Sequence, residues 1–182
     1  MTIEKVVDEI IAAEGGYVND ASDLGGPTRY GITQVVARAN GYYGEMRDLP
    51  LSVARQIYKN KYWFEPKFDQ LEVLSPAVAA ELCDTGVNCG VNFAKPLIQE
   101  ALNLLNRDQK DYADIKVDGA IGKNTLGALA SFLGKRGKEG EAVLVKTLNI
   151  MQGARYIEIT KTRPANENFF YGWVKNRVTL KD

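Results

Sequence analysis

Glu14 is followed at once by two glycines and then by Tyr-Val-Asn-Asp-Ala-Ser-Asp-Leu-Gly-Gly-Pro-Thr-Arg-Tyr-Gly-Ile-Thr, ending at Thr33. A carboxylate thus sits at the mouth of a turn-rich segment that carries two more, Asp20 and Asp23, and the hydroxyls of Thr28 and Thr33. The chain of 182 residues contains no histidine. Acid–base or nucleophilic chemistry must therefore run on carboxylates, hydroxyls, amines or thiols. Ser-His-Asp and Cys-His catalysis are excluded, as are zinc enzymes with histidine ligands. No phosphate-binding loop or dinucleotide fingerprint is present.

Paired carboxylates suit the cleavage of a glycosidic bond. One, held protonated, donates to the leaving oxygen; a second group activates water or supports positive charge on the sugar. Glu14 is the candidate acid. It lies four residues after Ile10 and continues the apolar stripe of its own helix, so the register predicts an inward carboxyl. Burial and the negative end of the helix macrodipole both favour the protonated form of a carboxyl so placed. Asp23 is the first choice for the second group. Asp20 reads equally as a turn-holding residue or as a substrate contact. Thr28 and Thr33 could orient a water, or serve only as a strand residue and a helix cap. Tyr30, inside the motif, could stack on a sugar ring. Asp84 and Asn88 could face the same cleft from a later helix, or cap that helix.

The elements that must position these groups are mainly helical. Ile3, Val6, Val7, Ile10 and Ile11 predict a helix over 2–14, capped by Thr2 and stopped by Gly15 and Gly16. Short strands are expected near Tyr17-Val18 and Tyr30–Ile32. Thr33 should cap a helix ending at Asn40-Gly41. Residues 50–62 read as a helix with Ala54, Ile57, Tyr58 and Lys61 on one side. Ser75-Pro76 is a helix start reaching to about Thr85, and 93–105 is a further helix with Pro96 in its first turn. Residues 124–133, 141–160 and 168–177 follow as helices, with 134–140 as a loop. The expected fold class is mainly α, a helical bundle with a small β-hairpin beside the active-site cleft. The expected division is 1–90 as a catalytic region and 91–182 as a second helical region packed with it.

The motif Glu14-Gly-Gly-Tyr-Val-Asn-Asp20, with Gly25-Gly26-Pro-Thr28 and Tyr30-Gly-Ile-Thr33, resembles the signature of glycoside hydrolase family 108. That family comprises phage and prophage N-acetylmuramidases, or endolysins, of the lysozyme-like superfamily. Asp84-Thr-Gly-Val-Asn88-Cys-Gly90, Gln99, Asn103 and the turn Val117-Asp-Gly-Ala-Ile-Gly-Lys-Asn-Thr125 resemble the peptidoglycan-binding region that accompanies it. The resemblance implies a lysozyme-like α+β fold, Glu14 as catalytic acid, and cleavage of the β-1,4 bond between N-acetylmuramic acid and N-acetylglucosamine. It also leaves room for two other readings: a lytic transglycosylase on the same scaffold, and a non-catalytic wall-binding or secretion-assisting protein.

Lys plus Arg and Asp plus Glu each number 23, so nothing favours binding to a phosphate backbone. Lys135, Arg136 and Lys138 read as a solvated helix end. Neither a basic-then-apolar leader nor a run of about 18 apolar residues is found. The expected path is synthesis in the bacterial cytoplasm, holin-assisted release, and action on peptidoglycan strands as a monomer. No metal or cofactor is expected. Cys83 and Cys89 read as reduced thiols.

Overall fold

The structure, a computed structural model, describes residues 3–14, 16–18 and 26–178. Thr2, Gly15, Asp20 and Asp23 lie outside the described residues. The fold is mainly helical with one small three-stranded antiparallel sheet. It divides into two compact units, residues 1–65 and 66–182.

The first unit opens with helix α1 (Ile3–Glu14). Its apolar stripe packs on helix α3 (Leu51–Lys59), burying Ile3, Val6 and Val7 against a helix whose own buried residues are Ala54, Ile57 and Tyr58. Two ion pairs, Arg55–Asp8 at 2.8 Å and Lys59–Glu4 at 2.9 Å, bracket the helix pair. They are largely solvent-exposed and contribute little beyond the apolar packing. Burial fades along α1: Ile10 and Ile11 are only half-buried, and Glu14 is exposed. The periodicity that predicts an inward Glu14 is real, but the helix outruns the surface it packs on.

Strands β1 (Tyr17–Val18), β2 (Thr28–Arg29) and β3 (Ile32–Thr33) pair in that order. Tyr17 faces Arg29, Val18 faces Thr28, and Thr28 and Arg29 face Thr33 and Ile32. The β2–β3 turn is Tyr30-Gly31, with φ of 53° and 71°. Two consecutive positive φ values match the twist of a tight hairpin. Ile32 anchors the hairpin in the core at 2% exposure. Thr33 then caps helix α2 (Gln34–Ala39), its Oγ1 accepting from Val36 N at 3.4 Å.

After α3 the backbone widens into a π-helical turn over Asn60–Phe64, closed by Glu65 N donating to Asn60 O at 2.9 Å. The extra residue per turn rotates the register. Trp63 is buried there and Lys61 is exposed, which corrects the expectation that Lys61 continues the inner face.

The second unit holds α4 (Phe68–Glu72), α5 (Pro76–Cys89), α6 (Val91–Leu105), α7 (Lys123–Thr162) and α8 (Glu167–Arg177). Helix α5, assigned from sequence to the region 1–90, packs in this unit against α4, α6 and α7. Ser75 caps it by accepting from Val78 N at 3.1 Å, and it runs to Cys89 rather than stopping near Thr85. Helix α6 starts at Val91, so Pro96 lies inside the helix rather than in its first turn. The expected 134–140 loop is instead helical. Residues 123–162 form two helices joined at a kink, and only Gly137 departs from helical geometry, with φ 58° and ψ −150°. Phe132, Leu144 and Leu148 are buried on either side of the kink, and that packing outweighs the local preference of the glycines. Cys83 and Cys89 are free thiols, and burial pushes them up to about 12 and about 11.

Candidate active site

Glu14 ends α1, and its side chain lies over the β2–β3 turn. The contact is read from Gly31: a Cβ placed there would meet Glu14 Cδ and Cγ at 2.8 Å each and the Tyr58 hydroxyl at 2.7 Å. The carboxyl end of Glu14 and the Tyr58 phenol therefore converge on one point of the turn backbone. Only a glycine leaves that point vacant. Tyr58 stands on the inner face of α3, and its hydroxyl donates to Tyr30 O at 2.7 Å. Helix α1, the hairpin turn and α3 thus meet at Glu14, and a single phenol ties the last two together.

Burial first, then the charge of Glu14, raises the Tyr58 phenol to about 12. The group stays neutral across the physiological range, with its one proton on the Tyr30 carbonyl. The exposure of Glu14 corrects the expectation of an inward carboxyl. An acid open to solvent is accessible to a polymeric substrate, and bound sugar would itself exclude the water.

Thr28 and Thr33 are cross-strand partners and so share one face of the hairpin. Thr28 Oγ1 donates to Gly26 O at 3.2 Å, and Thr33 Oγ1 accepts from Val36 N. Each therefore has a local structural bond. Tyr30 contributes its carbonyl to Tyr58, while its ring lies beneath the Arg29 guanidinium at 5.0 Å. Arg47 covers the Tyr17 ring at 5.8 Å. The hairpin is thus flanked by cation-covered aromatic rings.

Asp84 and Asn88 are arranged differently from the sequence expectation of a cleft-facing pair. Asp84 is 5% exposed. Its Oδ1 accepts from Arg177 Nη1 at 2.6 Å and its Oδ2 from Gln152 Nε2 at 3.0 Å. The carboxylate is committed to joining α5, α7 and α8, and Asn88 Nδ2 donates to the Asp84 carbonyl at 2.7 Å. A buried acid left without these donors would be costly, which accounts for the pair as architecture.

Beside Asp84, Glu81 is raised to about 7, first by burial and then by the charge of Asp84, against a bond from Asn149 that lowers it. A raised carboxyl keeps its proton in the folded chain over a range where the unfolded chain has released it. This contribution to stability is present below about pH 4.5 and is lost as pH rises through about 7. Glu81→Gln, which keeps the shape without the titration, is expected to flatten that fall. Urea midpoints of the two proteins across this window check it; parallel slopes would contradict it.

The turn at 117–125 is likewise structural. Gln99 Oε1 accepts from Asp118 N at 2.9 Å and Gly119 N at 2.8 Å, while its Nε2 donates to Asp118 Oδ1, Ala120 O and Thr125 Oγ1, each at 3.1 Å. Lys135, Arg136 and Lys138 are solvent-exposed as expected, and the first two also approach the buried carboxylate of Asp111 at 3.5 Å each, alongside Arg107. The hydrogen bond from Arg107 is the main reason Asp111 falls to about 2.

Sequence reasoning missed Gly31 and Tyr58 as members of the site. The Tyr-Gly dipeptide between two short strands was the available signal for the first. Tyr58 offered none beyond its place on an apolar helix face, because its partner lies in the distant hairpin. Among the described residues, no cluster of three or more His, Cys, Asp or Glu could hold a metal ion, and no helix is long and apolar enough to cross a membrane.

Residues 7–90 match the family model Glycosyl hydrolase 108, and residues 94–178 match the model Predicted Peptidoglycan domain. Among solved structures, that of Brucella abortus SagA is similar, with 23% sequence identity over 97% of this chain and 88% of that chain, and a TM-score of 0.59. At that identity the likeness speaks for the fold. No curated protein matches the chain significantly.

Proposed function

Residues 7–90 carry a glycosyl hydrolase 108 region, which makes the chain a glycoside hydrolase acting on peptidoglycan; from that premise we propose that it is an N-acetylmuramidase with Glu14 as its general acid. The observation that carries this is the convergence of α1, the Tyr30-Gly31 turn and Tyr58 on the Glu14 carboxyl. Glu14 would protonate the glycosidic oxygen linking N-acetylmuramic acid to N-acetylglucosamine as the β-1,4 bond breaks. Asp23 would activate water or support the oxocarbenium-like state from the opposite side, with Asp20 as the alternative. Thr28 or Thr33 would help to hold the water. Asp20, Tyr30, Asp84 and Asn88 are the candidate substrate contacts, Asp20 lying outside the described residues. Of these, Tyr30 keeps that role, whereas Asp84 and Asn88 are engaged within their own unit.

The biological role on this reading is that of an endolysin, opening the wall of a bacterial host as a monomer.

The test is digestion of purified peptidoglycan, followed by borohydride reduction and mass spectrometry of the fragments. Reducible muramic acid ends are expected. Anhydro-muramic ends would identify a lytic transglycosylase, and reducible glucosamine ends a different bond. Retention on insoluble peptidoglycan without fragment release would identify a wall-binding protein. Any of these three results would contradict the proposal.

A further inference from the structure

We propose that Tyr58 is a positioning residue for Glu14, holding the hairpin turn beneath the carboxyl. The inference rests on the reading of Glu14 as the general acid.

Three observations carry it. First, the Tyr58 hydroxyl spends its single proton on Tyr30 O at 2.7 Å. A phenol has one proton and two acceptor lone pairs. Its one proton is therefore committed to the Tyr30 carbonyl, and so to the turn backbone at Gly31 over which the Glu14 side chain lies.

Second, Tyr30 has φ 53°, a left-handed conformation that non-glycine residues seldom adopt and that persists when surrounding bonds impose it. The Tyr58 hydrogen bond falls on the carbonyl of this residue. Because Gly31 follows directly, loosening that bond would loosen the backbone on which Glu14 rests.

Third, Tyr58 is itself fixed. It is 6% exposed, and its ring stacks with Tyr62 at 6.2 Å and an interplanar angle of 12°. Its position on α3 is set by packing against α1, the helix that delivers Glu14. The acid and the phenol that holds its turn are thus carried by two helices that pack directly on each other.

Removing the hydroxyl while keeping the ring isolates the role. Tyr58→Phe is compared with wild type on soluble, uncrosslinked peptidoglycan strands, with rates taken per folded molecule below the unfolding transition. The expectation is a kcat lower by on the order of tenfold, the cost of a slight misplacement of the acid, with KM changed less than about twofold. A purely structural loss would move KM and the melting temperature as well. Tyr62→Phe, which leaves the Tyr58–Tyr30 bond intact, is expected to keep the wild-type kcat.

Wild-type kcat in Tyr58→Phe would overturn the proposal. So would a fall in kcat matched by a rise in KM, or an equal loss in Tyr62→Phe. Glu14→Gln, assayed in parallel, separates the two ideas. If it is inactive while Tyr58→Phe is unaffected, only the positioning role fails; if it is fully active, the general-acid reading fails and this inference fails with it.

Discussion

Gly31→Ala is expected to reduce peptidoglycan hydrolysis by on the order of a hundredfold while leaving the protein folded. Two independent costs fall on this position. The backbone has φ of 71°, where an alanine costs about 1–2 kcal/mol relative to glycine. In addition, the new methyl would stand 2.7 Å from the Tyr58 hydroxyl and 2.8 Å from Glu14, well inside van der Waals contact. The hairpin is anchored by Ile32 at 2% exposure, so the side chains must yield, and Glu14 is the exposed one. A displacement of roughly 1 Å at a reacting group is enough for a loss of this size.

Gly41→Ala supplies the control. Gly41 also has a positive φ, 84°, but a Cβ there meets nothing within 4 Å. It carries the backbone strain without the displacement. Both variants should lose thermal stability from backbone strain, Gly31→Ala at least as much as Gly41→Ala, and only Gly31→Ala should lose activity. Equal activity losses would mean that backbone strain, not the position of Glu14, accounts for the effect.

The local elements of this fold were legible because their signals are local. Ile3, Val6 and Val7 mark one face of α1, Thr33 and Ser75 cap the helices they precede, and Tyr30-Gly31 sits where a hairpin must turn. What escaped prediction depends on contacts distant in sequence. The heptad arithmetic that places Glu14 on the apolar stripe is correct, yet whether a stripe is covered depends on where the partner helix ends. Residues 134–140 look like a loop because three glycines interrupt a charged run. Burial of Phe132 and Leu144 on either side holds them helical except at Gly137. Asp84 looks like a site residue because it is a polar group in a motif. Its partner Arg177 lies 93 positions away, and no local pattern announces it. Tyr58 is the converse case, a residue that reads as core although its hydroxyl meets the hairpin 28 positions earlier.

The second unit is rich in buried polar residues. Asp84, Gln99, Thr125, Asn149 and Gln152 are all buried. Gln99 is saturated by the 117–125 turn, and Asp84 by Arg177 and Gln152. Such networks fix one arrangement of helices because a shift of any member strands a polar group in the interior. The turn motif is therefore accounted for by packing.

The central claim is that Glu14 delivers the proton, and Glu14→Gln addresses it with the least disturbance. The amide has the shape of the carboxyl and fills the same space above Gly31, so the hairpin and Tyr58 keep their places. It has no acidic proton to give. General acid catalysis contributes roughly a hundredfold to ten-thousandfold in such reactions. The loss should therefore appear in the rate and not in the affinity for peptidoglycan, because Glu14 is asked to act on the transition state.

The direct measurement is fragment release from purified peptidoglycan by wild type and Glu14→Gln at equal folded concentration, with binding to insoluble peptidoglycan recorded in parallel. The account predicts that Glu14→Gln binds as wild type does but releases muramic acid-terminated fragments at least about a hundredfold more slowly; near-wild-type release by Glu14→Gln would contradict it.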